Sequence, residues 1–218
     1  MHKKRTEMPK TWPIARKVKK QRYIAQPRHA ASKSITILAI LRDMLNMAST
    51  RKEVKFIMNG GNVKINSKVR KDELFPVFAF DTINFEKLNK YYELEIVNRK
   101  FKLREVSKED SLTKIIKISG KKNLANGKVQ INLEDGNNFL TDMKFNVGDS
   151  VLLNTFTNKI EKILPLKVGA KVEIVSGKHA GGNGEILAIE NIRRGKQYKV
   201  KMEDKEVTLP HKTFFVIK

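Results

Sequence analysis

The sequence predicts an α+β chain, β-rich and multi-domain, and three observations predict it. One helical apolar stripe (Ile37, Ile40, Leu41, Met44, Leu45, Ala48) is confined to a region near the start. From about residue 85 onward, short alternating runs are separated by Gly-, Asn- and Asp-containing turns, the pattern of small barrels or rolled sheets. The 218 residues also change composition along their length and suffice for two or three small domains. We divide them into a basic extended arm (1–33), a helix-pair and hairpin module with its connecting strand (34–98), a central β-rich, barrel-like domain (99–164) and a C-terminal SH3-like barrel (165–218).

Charge narrows the function. Lys and Arg total 45 against 23 acids, a net charge of +22. Repulsion on that scale opposes compaction unless a polyanion neutralises it. Nucleic acid is the natural partner, because each phosphate contacted releases a condensed counterion. An anionic membrane is the competitor, but no apolar run approaches the roughly 20 residues of a spanning helix, and no signal-peptide-like apolar region opens the chain. A soluble, intracellular protein is expected. The absence of Cys fits a reducing cytoplasm and removes thiolate metal sites.

Residues 1–33 carry 11 Lys/Arg and one acid, Glu7, with Pro9, Pro13 and Pro27 and no apolar period. Such a segment buries no core of its own and is expected to be ordered by its partner. Its candidate RNA contacts are Lys3, Lys4, Arg5, Lys10, Arg16, Lys17, Lys19, Lys20, Arg22, Arg28 and His29, with Trp12 and Tyr23 offering stacking. A plain solvated tail is the alternative.

Ser34 is the expected N-cap of the first helix. Thr50 and Glu53 form a capping box for a second, with Val54, Ile57 and Met58 inward, and Asn59-Gly60-Gly61 stops it. Val63 and Ile65 then alternate into a hairpin through Asn66-Ser67, returning along Lys68-Val69-Arg70. Arg42, Arg51, Lys52, Lys55, Lys64, Lys68 and Arg70 occupy polar positions that a helix pair packed on a hairpin would gather on one face. Ordinary solvated charge is the alternative for each. This stretch (LRDML…ASTRKEVKFIMNGGNVKINSKVRKDELFPVFAFD) resembles the small RNA-binding module named after ribosomal protein S-four. The resemblance implies RNA held across the helix–hairpin face by shape and phosphate contact. Ser67 departs from the Gly that many relatives carry in the turn, and a looser hairpin tip is expected.

In the middle, Tyr92-Leu94-Ile96 and Phe101-Leu103 alternate around Asn98-Arg99-Lys100, and strands follow at Lys114–Ser119, Val129–Leu133 and Val151–Leu153. Turn signals fall at Ser119-Gly120, Asn126-Gly127, Glu134–Asn138 and Val147-Gly148-Asp149. The adjacent pairs Glu109-Asp110 and Glu134-Asp135 read as loop acids, because neighbours on a strand point to opposite faces.

Residues 166–186 (LKVGAKVEIVSGKHAGGNGEI) are the most specific stretch. Val172 and Ile174 alternate inward, and Gly177, Gly181 and Gly184 allow tight turns and close backbone approach to a ligand. Strands at Tyr198–Met202, Val207–Leu209 and Phe214–Ile217 complete a barrel. A Walker loop would need Gly-Lys-Ser/Thr opening a helix; Gly177-Lys178-His179 leads to a strand instead. The run resembles the KOW motif of ribosomal proteins and transcription elongation factors. That resemblance implies RNA facing Lys178, His179, Arg193 and Arg194, although such barrels also bind proteins.

No catalytic chemistry emerges. His2, His29, His179 and His211 show no paired ligand spacing, and no GxSxG or Rossmann fingerprint occurs. No catalytic residue, metal, cofactor or small-molecule substrate is expected. Taken in order, the arm, module, β-rich middle and KOW run, together with Met8-Pro9…Trp12-Pro13-Ile14…Lys17, Leu41–Leu45 and Val147–Ser150, resemble the archaeal and eukaryotic (e-type) S-four family of small-subunit ribosomal proteins over essentially the full length. Gln26–Ala31 departs from the Pro-Gly-Pro-His-like turn usual there. The resemblance implies a non-enzymatic constituent of the cytoplasmic ribosome that binds small-subunit ribosomal RNA beside neighbouring ribosomal proteins, without homo-oligomerising. A KOW-containing transcription elongation or antitermination factor is the alternative.

Overall fold

Alternation governs most of the chain, and antiparallel strands result. The computed structural model describes residues 3–124, 128–193, 195–202 and 205–217. Two compact units divide the chain, Met1–Leu112 and Thr113–Lys218. The Asn126-Gly127 turn lies outside the described residues.

In the first unit, β1 (Lys3–Lys4) pairs with β2 (Tyr23–Ile24), and β3 (Ser34–Thr36) pairs with a later strand, Pro76–Phe78. Ser34 is therefore a strand residue, contrary to its expected capping role. Thr36 caps α1 (Ile37–Ala39) instead, its hydroxyl accepting from Ala39 N at 3.2 Å. The helix then widens over Ile40–Met44, where Leu45 N donates to Ile40 O at 2.9 Å, and Asn46 ends it with a φ of 53°. The regular helix expected to run to Ala48 is thus short and irregular. Ile37 to Leu41 are all buried, so this turn is enclosed on every side rather than along one stripe.

α2 (Arg51–Asn59) starts at the expected box: Glu53 N donates to Thr50 Oγ1 at 3.3 Å, and the Glu53 carboxylate receives Ser49 N at 2.7 Å. These backbone donors, Ser49 foremost, hold the Glu53 carboxyl below the usual carboxylate range. Strands β4 (Val63–Ile65), β5 (Lys68–Val69), β6 (Pro76–Phe78), β7 (Thr82–Phe85), β8 (Lys90–Val97) and β9 (Lys100–Glu105) follow. Five of them form one sheet in the order β5-β4-β7-β8-β9. The β4–β5 tip is a turn with φ of 49° at Asn66 and 63° at Ser67. It is pinned rather than loose, because the Asn66 side chain donates to Asp81 Oδ1 and accepts from Thr82 N, both at 3.0 Å. The β8–β9 turn at Asn98 and Arg99 likewise has positive φ, 51° and 66°.

In the second unit, β10 (Thr113–Asn123), β11 (Val129–Leu133), β12 (Asn138–Thr141), β13 (Ser150–Asn154) and β14 (Lys159–Leu164) form a sheet ordered β12-β11-β10-β13-β14. A bulge between Ile118 and Gly120 bends β10, so one strand serves both halves. Ile116, Ile118, Ile131, Leu133, Val151 and Leu153 form its core. β15 (Lys171–Ile174), β16 (Asn183–Ile192), β17 (Gly195–Lys201), β18 (Glu206–Pro210) and β19 (Phe214–Val216) form the last sheet, ordered β18-β17-β16-β15-β19, around Val172, Ile174, Ile186, Val200 and Phe214. The two cores are joined by buried polar links: Ser150 Oγ accepts from Val216 N at 2.9 Å, and Asp149 Oδ1 from Leu166 N at 2.8 Å.

Candidate nucleic-acid interface

The N-terminal segment holds itself together with its own arginines. Arg5, 6% exposed, donates from Nε to Ala15 O at 3.1 Å and from Nη1 to Gln21 Oε1 at 3.2 Å. Arg16 reciprocates, donating to the carbonyls of Thr6 and Met8. Neutral carbonyls orient these guanidiniums without cancelling their charge. Trp12 was expected to stack on a base, and the structure corrects this. The ring is 3% exposed, and its Nε1 donates to Ser34 O at 2.9 Å. With Met8 buried as well and Phe101 N donating to Thr11 O at 2.8 Å, the segment is docked into the first unit. Burial of this large ring supplies the anchoring that the absence of apolar periodicity seemed to rule out.

Tyr23 is the exposed aromatic here, at 55%, with the Arg22 guanidinium 5.7 Å from its ring centre. Lys4, Lys10, Lys17, Lys19, Lys20 and Arg22 are exposed, and Lys3 is half-buried on β1. Arg28 is paired with Asp72, and His29 is exposed, its ring tilted 6.3 Å from Phe78.

Around α2 and the β4–β5 hairpin, the predicted cations divide into two sets. Arg42 forks onto Asp43 at 3.0 and 2.8 Å, Arg51 reaches Glu73 at 2.6 Å, and Lys64 pairs with Glu86. Arg70 lies 4.6 Å from the ring centre of Phe75. The hydrogen bond from Arg51 holds the Glu73 carboxyl below its usual range, despite burial that pushes it up. Lys52, Lys55 and Lys68 are exposed and make no salt bridge among the described residues. Lys55 still lies near enough to Glu73 to help hold its carboxyl down, whereas the others are engaged directly by an acid or a ring.

Phe56 was not singled out in the sequence. It is 81% exposed, while Val54 and Met58 are fully buried. A residue two places from each inward position must point away from them, so the helical repeat already carried this signal. Lys52 stands one turn before Phe56 on the same face.

In the second unit, the loop after β15 is a tight return. Ile174 N donates to Gly182 O at 2.9 Å, and Gly181, at φ 88°, donates to Ile174 O at 2.7 Å. Lys178 is exposed at its tip, with His179 half-buried. Gly184 is required by strand packing: a Cβ there would lie 2.6 Å from Lys201 O on the neighbouring strand. Arg193 is exposed at the β16–β17 turn, and Arg194 lies outside the described residues. The resemblance implies that Lys178, His179 and Arg193 all face RNA. Lys178 and His179 precede β16 and Arg193 follows it, so they sit at opposite ends of that strand.

Two lysines are internal. Lys114 pairs with Asp135 at 3.1 Å, and Lys117 donates to Phe214 O at 2.9 Å and to His211 O. No helix is long and apolar enough to cross a membrane, and no metal-capable cluster of His, Cys, Asp and Glu occurs among the described residues.

Comparison with known proteins gives concordant matches. The model of the ribosomal family S4e matches residues 89–160. A small ribosomal subunit protein eS4 from Methanosphaera stadtmanae is 36% identical, over 99% of this chain and 91% of its own length. That of Methanocella arvoryzae is also 36% identical, over 88% and 82%. Among solved structures, the 30S ribosomal protein S4e of Thermoplasma acidophilum superposes with a TM-score of 0.74 at 26% identity, covering 85% of this chain and 95% of that one.

Proposed function

This chain belongs to the ribosomal S4e family, and from that premise we propose that it is a structural constituent of the small ribosomal subunit that binds small-subunit ribosomal RNA through several separate basic surfaces. The observation that carries the mechanism is the set of exposed cations that form no salt bridge among the described residues: Lys4, Lys17, Lys19, Lys20 and Arg22 on the N-terminal segment, and Lys52, Lys55 and Lys68 on the helix–hairpin face. Phosphates neutralise such charges with release of counterions. Residues 34–98 act as an S-four-type module, and residues 165–218 as a KOW barrel presenting Lys178 and Arg193. Each surface alone binds weakly. Tethering makes later contacts intramolecular, and affinity accumulates. Neighbouring ribosomal proteins complete the surroundings, the protein acts in the cytoplasm on the ribosome, and its role is architectural rather than enzymatic. The transcription-factor alternative finds no support in relatives that match almost the whole chain.

Sedimentation of native extract after a high-salt wash tests this. Persistence with small subunits and whole ribosomes is expected, whereas release by the wash, or migration with RNA polymerase, overturns it. For the isolated protein, log affinity for small-subunit RNA against log salt should fall with a slope steeper than about −3.

A further inference from the structure

We propose that Arg5 is the floor of a phosphate-binding site, closed by Lys20 and Arg22, that seats one backbone phosphate of ribosomal RNA; the assignment to RNA rests on the ribosomal reading above. Arg5 is 6% exposed, yet its guanidinium donates only to the neutral oxygens of Ala15 and Gln21 among the described residues. Among the described residues, no carboxylate pairs with it, and its Nη2 has no hydrogen-bond partner. Glu7, the single acid of the first 33 residues, is exposed and forms no ion pair among the described residues. A buried guanidinium without a counter-ion is a standing electrostatic penalty that a bound anion removes.

The surroundings fit such an anion. Arg5 lies in the wall of two adjoining recesses. One has about 630 Å³ of open space between Lys20–Ala25 and the turn at Arg42–Ser49, and the other about 520 Å³ beside Arg16 to Lys19. Among the described residues, the only acid lining either recess is Asp43, already engaged by Arg42. Arg22 and Lys20 stand exposed on the rim with no acidic partner among the described residues, and Tyr23 beside them offers a face for the attached nucleoside. The fork of Arg5 is set by its two carbonyl-type acceptors, so it is pre-oriented for a tetrahedral anion.

The experiment uses the full chain, with inorganic phosphate and transcribed small-subunit ribosomal RNA as probes. Thermal unfolding is compared in phosphate and in chloride at equal ionic strength, and RNA affinity is measured across salt. Variants are Arg5→Met and, because loss of Arg5 also removes internal bonds, the surface pair Lys20→Gln with Arg22→Gln. Phosphate should raise the melting temperature of the wild type beyond chloride, and that increment should disappear in Arg5→Met and shrink in the surface pair. The surface pair should bind RNA about tenfold more weakly, with a salt slope shallower by about one. Equal phosphate protection, affinity and slope in wild type and surface pair overturn the site. Protection by phosphate with an unchanged RNA slope assigns the site to free anion and overturns the RNA assignment. A wild type that fails to bind this RNA at all overturns the ribosomal reading instead.

Discussion

The indole Nε1 of Trp12 donates to the backbone carbonyl of Ser34 at 2.9 Å, inside the first unit and across 22 residues of chain. One buried bond and one buried ring thereby fix a segment that composition alone describes as an extended tail. Trp12→Ala should destabilise this unit by about 3–5 kcal/mol. Trp12→Phe keeps most of the apolar contact but strands the Ser34 carbonyl, for about 1–3 kcal/mol. Urea unfolding and the rate of tryptic cleavage at Lys17 to Lys20 measure both. An unchanged cleavage rate in Trp12→Ala would show that the segment is held by something else.

Arg51 is paired inside the fold, while its neighbour Lys52 is exposed and forms no salt bridge among the described residues. Because Arg51 is paired with the largely buried Glu73, Arg51→Glu sets two carboxylates against each other and should lower stability by about 1 kcal/mol, a modest figure because Arg51 is more than half exposed. Lys52→Glu with Lys55→Glu should weaken RNA binding at least tenfold and leave the circular dichroism spectrum and melting temperature unchanged. Equal affinity with an intact fold would remove this helix face from the interface.

Gly184 sits where the backbone of β17 leaves no room for a side chain, a Cβ meeting Lys201 O and Val200 Cγ1 at 2.6 Å. Gly184→Ala should force the strands apart and destabilise the second unit by about 1–3 kcal/mol. Gly136→Ala tests the other requirement, since nothing lies near its Cβ but its φ is 89°; a loss of about 1 kcal/mol is expected from the backbone alone.

His211 titrates below the ordinary histidine range, because burial and the nearby Lys117 charge disfavour its protonated form. The unfolded chain therefore takes up this proton at a higher pH than the folded one. Its contribution to stability is complete above the unfolded histidine value near 6.5, and falls as pH drops from there toward the lower folded value. Melting temperatures between pH 7.5 and 5.5 should fall more steeply for the wild type than for His211→Gln. Titration of His211 by NMR should move upward in Lys117→Met. A downward movement, or parallel melting curves, would contradict the coupling.

Much of the fold was legible because its causes are local. The Thr50–Glu53 box, the Gly60-Gly61 stop, the Asn98-Arg99 turn and the alternation of Val172 and Ile174 each depend on residues within a few positions of one another, and each appears in the structure. The same locality explains the errors. Ser34 is as good a cap as Thr36 in isolation, and only pairing with Phe78 across the β3–β6 ladder makes it a strand residue. Strands β12 and β14 escaped notice because their exposed alternation is weak without partners in register.

For the interface, the sequence determined the inventory: a +22 chain with its excess charge concentrated ahead of residue 34. Composition is additive along the chain and needs no fold to be counted. Which cations remain available was decided only by tertiary structure. Arg51 faces Glu73 across 22 residues, Arg28 faces Asp72 across 44, and Lys117 is enclosed by His211 and Phe214, while Arg5 is buried with no carboxylate paired to it among the described residues. Pairing and burial are properties of distances in space, and those are set when the chain closes on itself, not by the order of its residues.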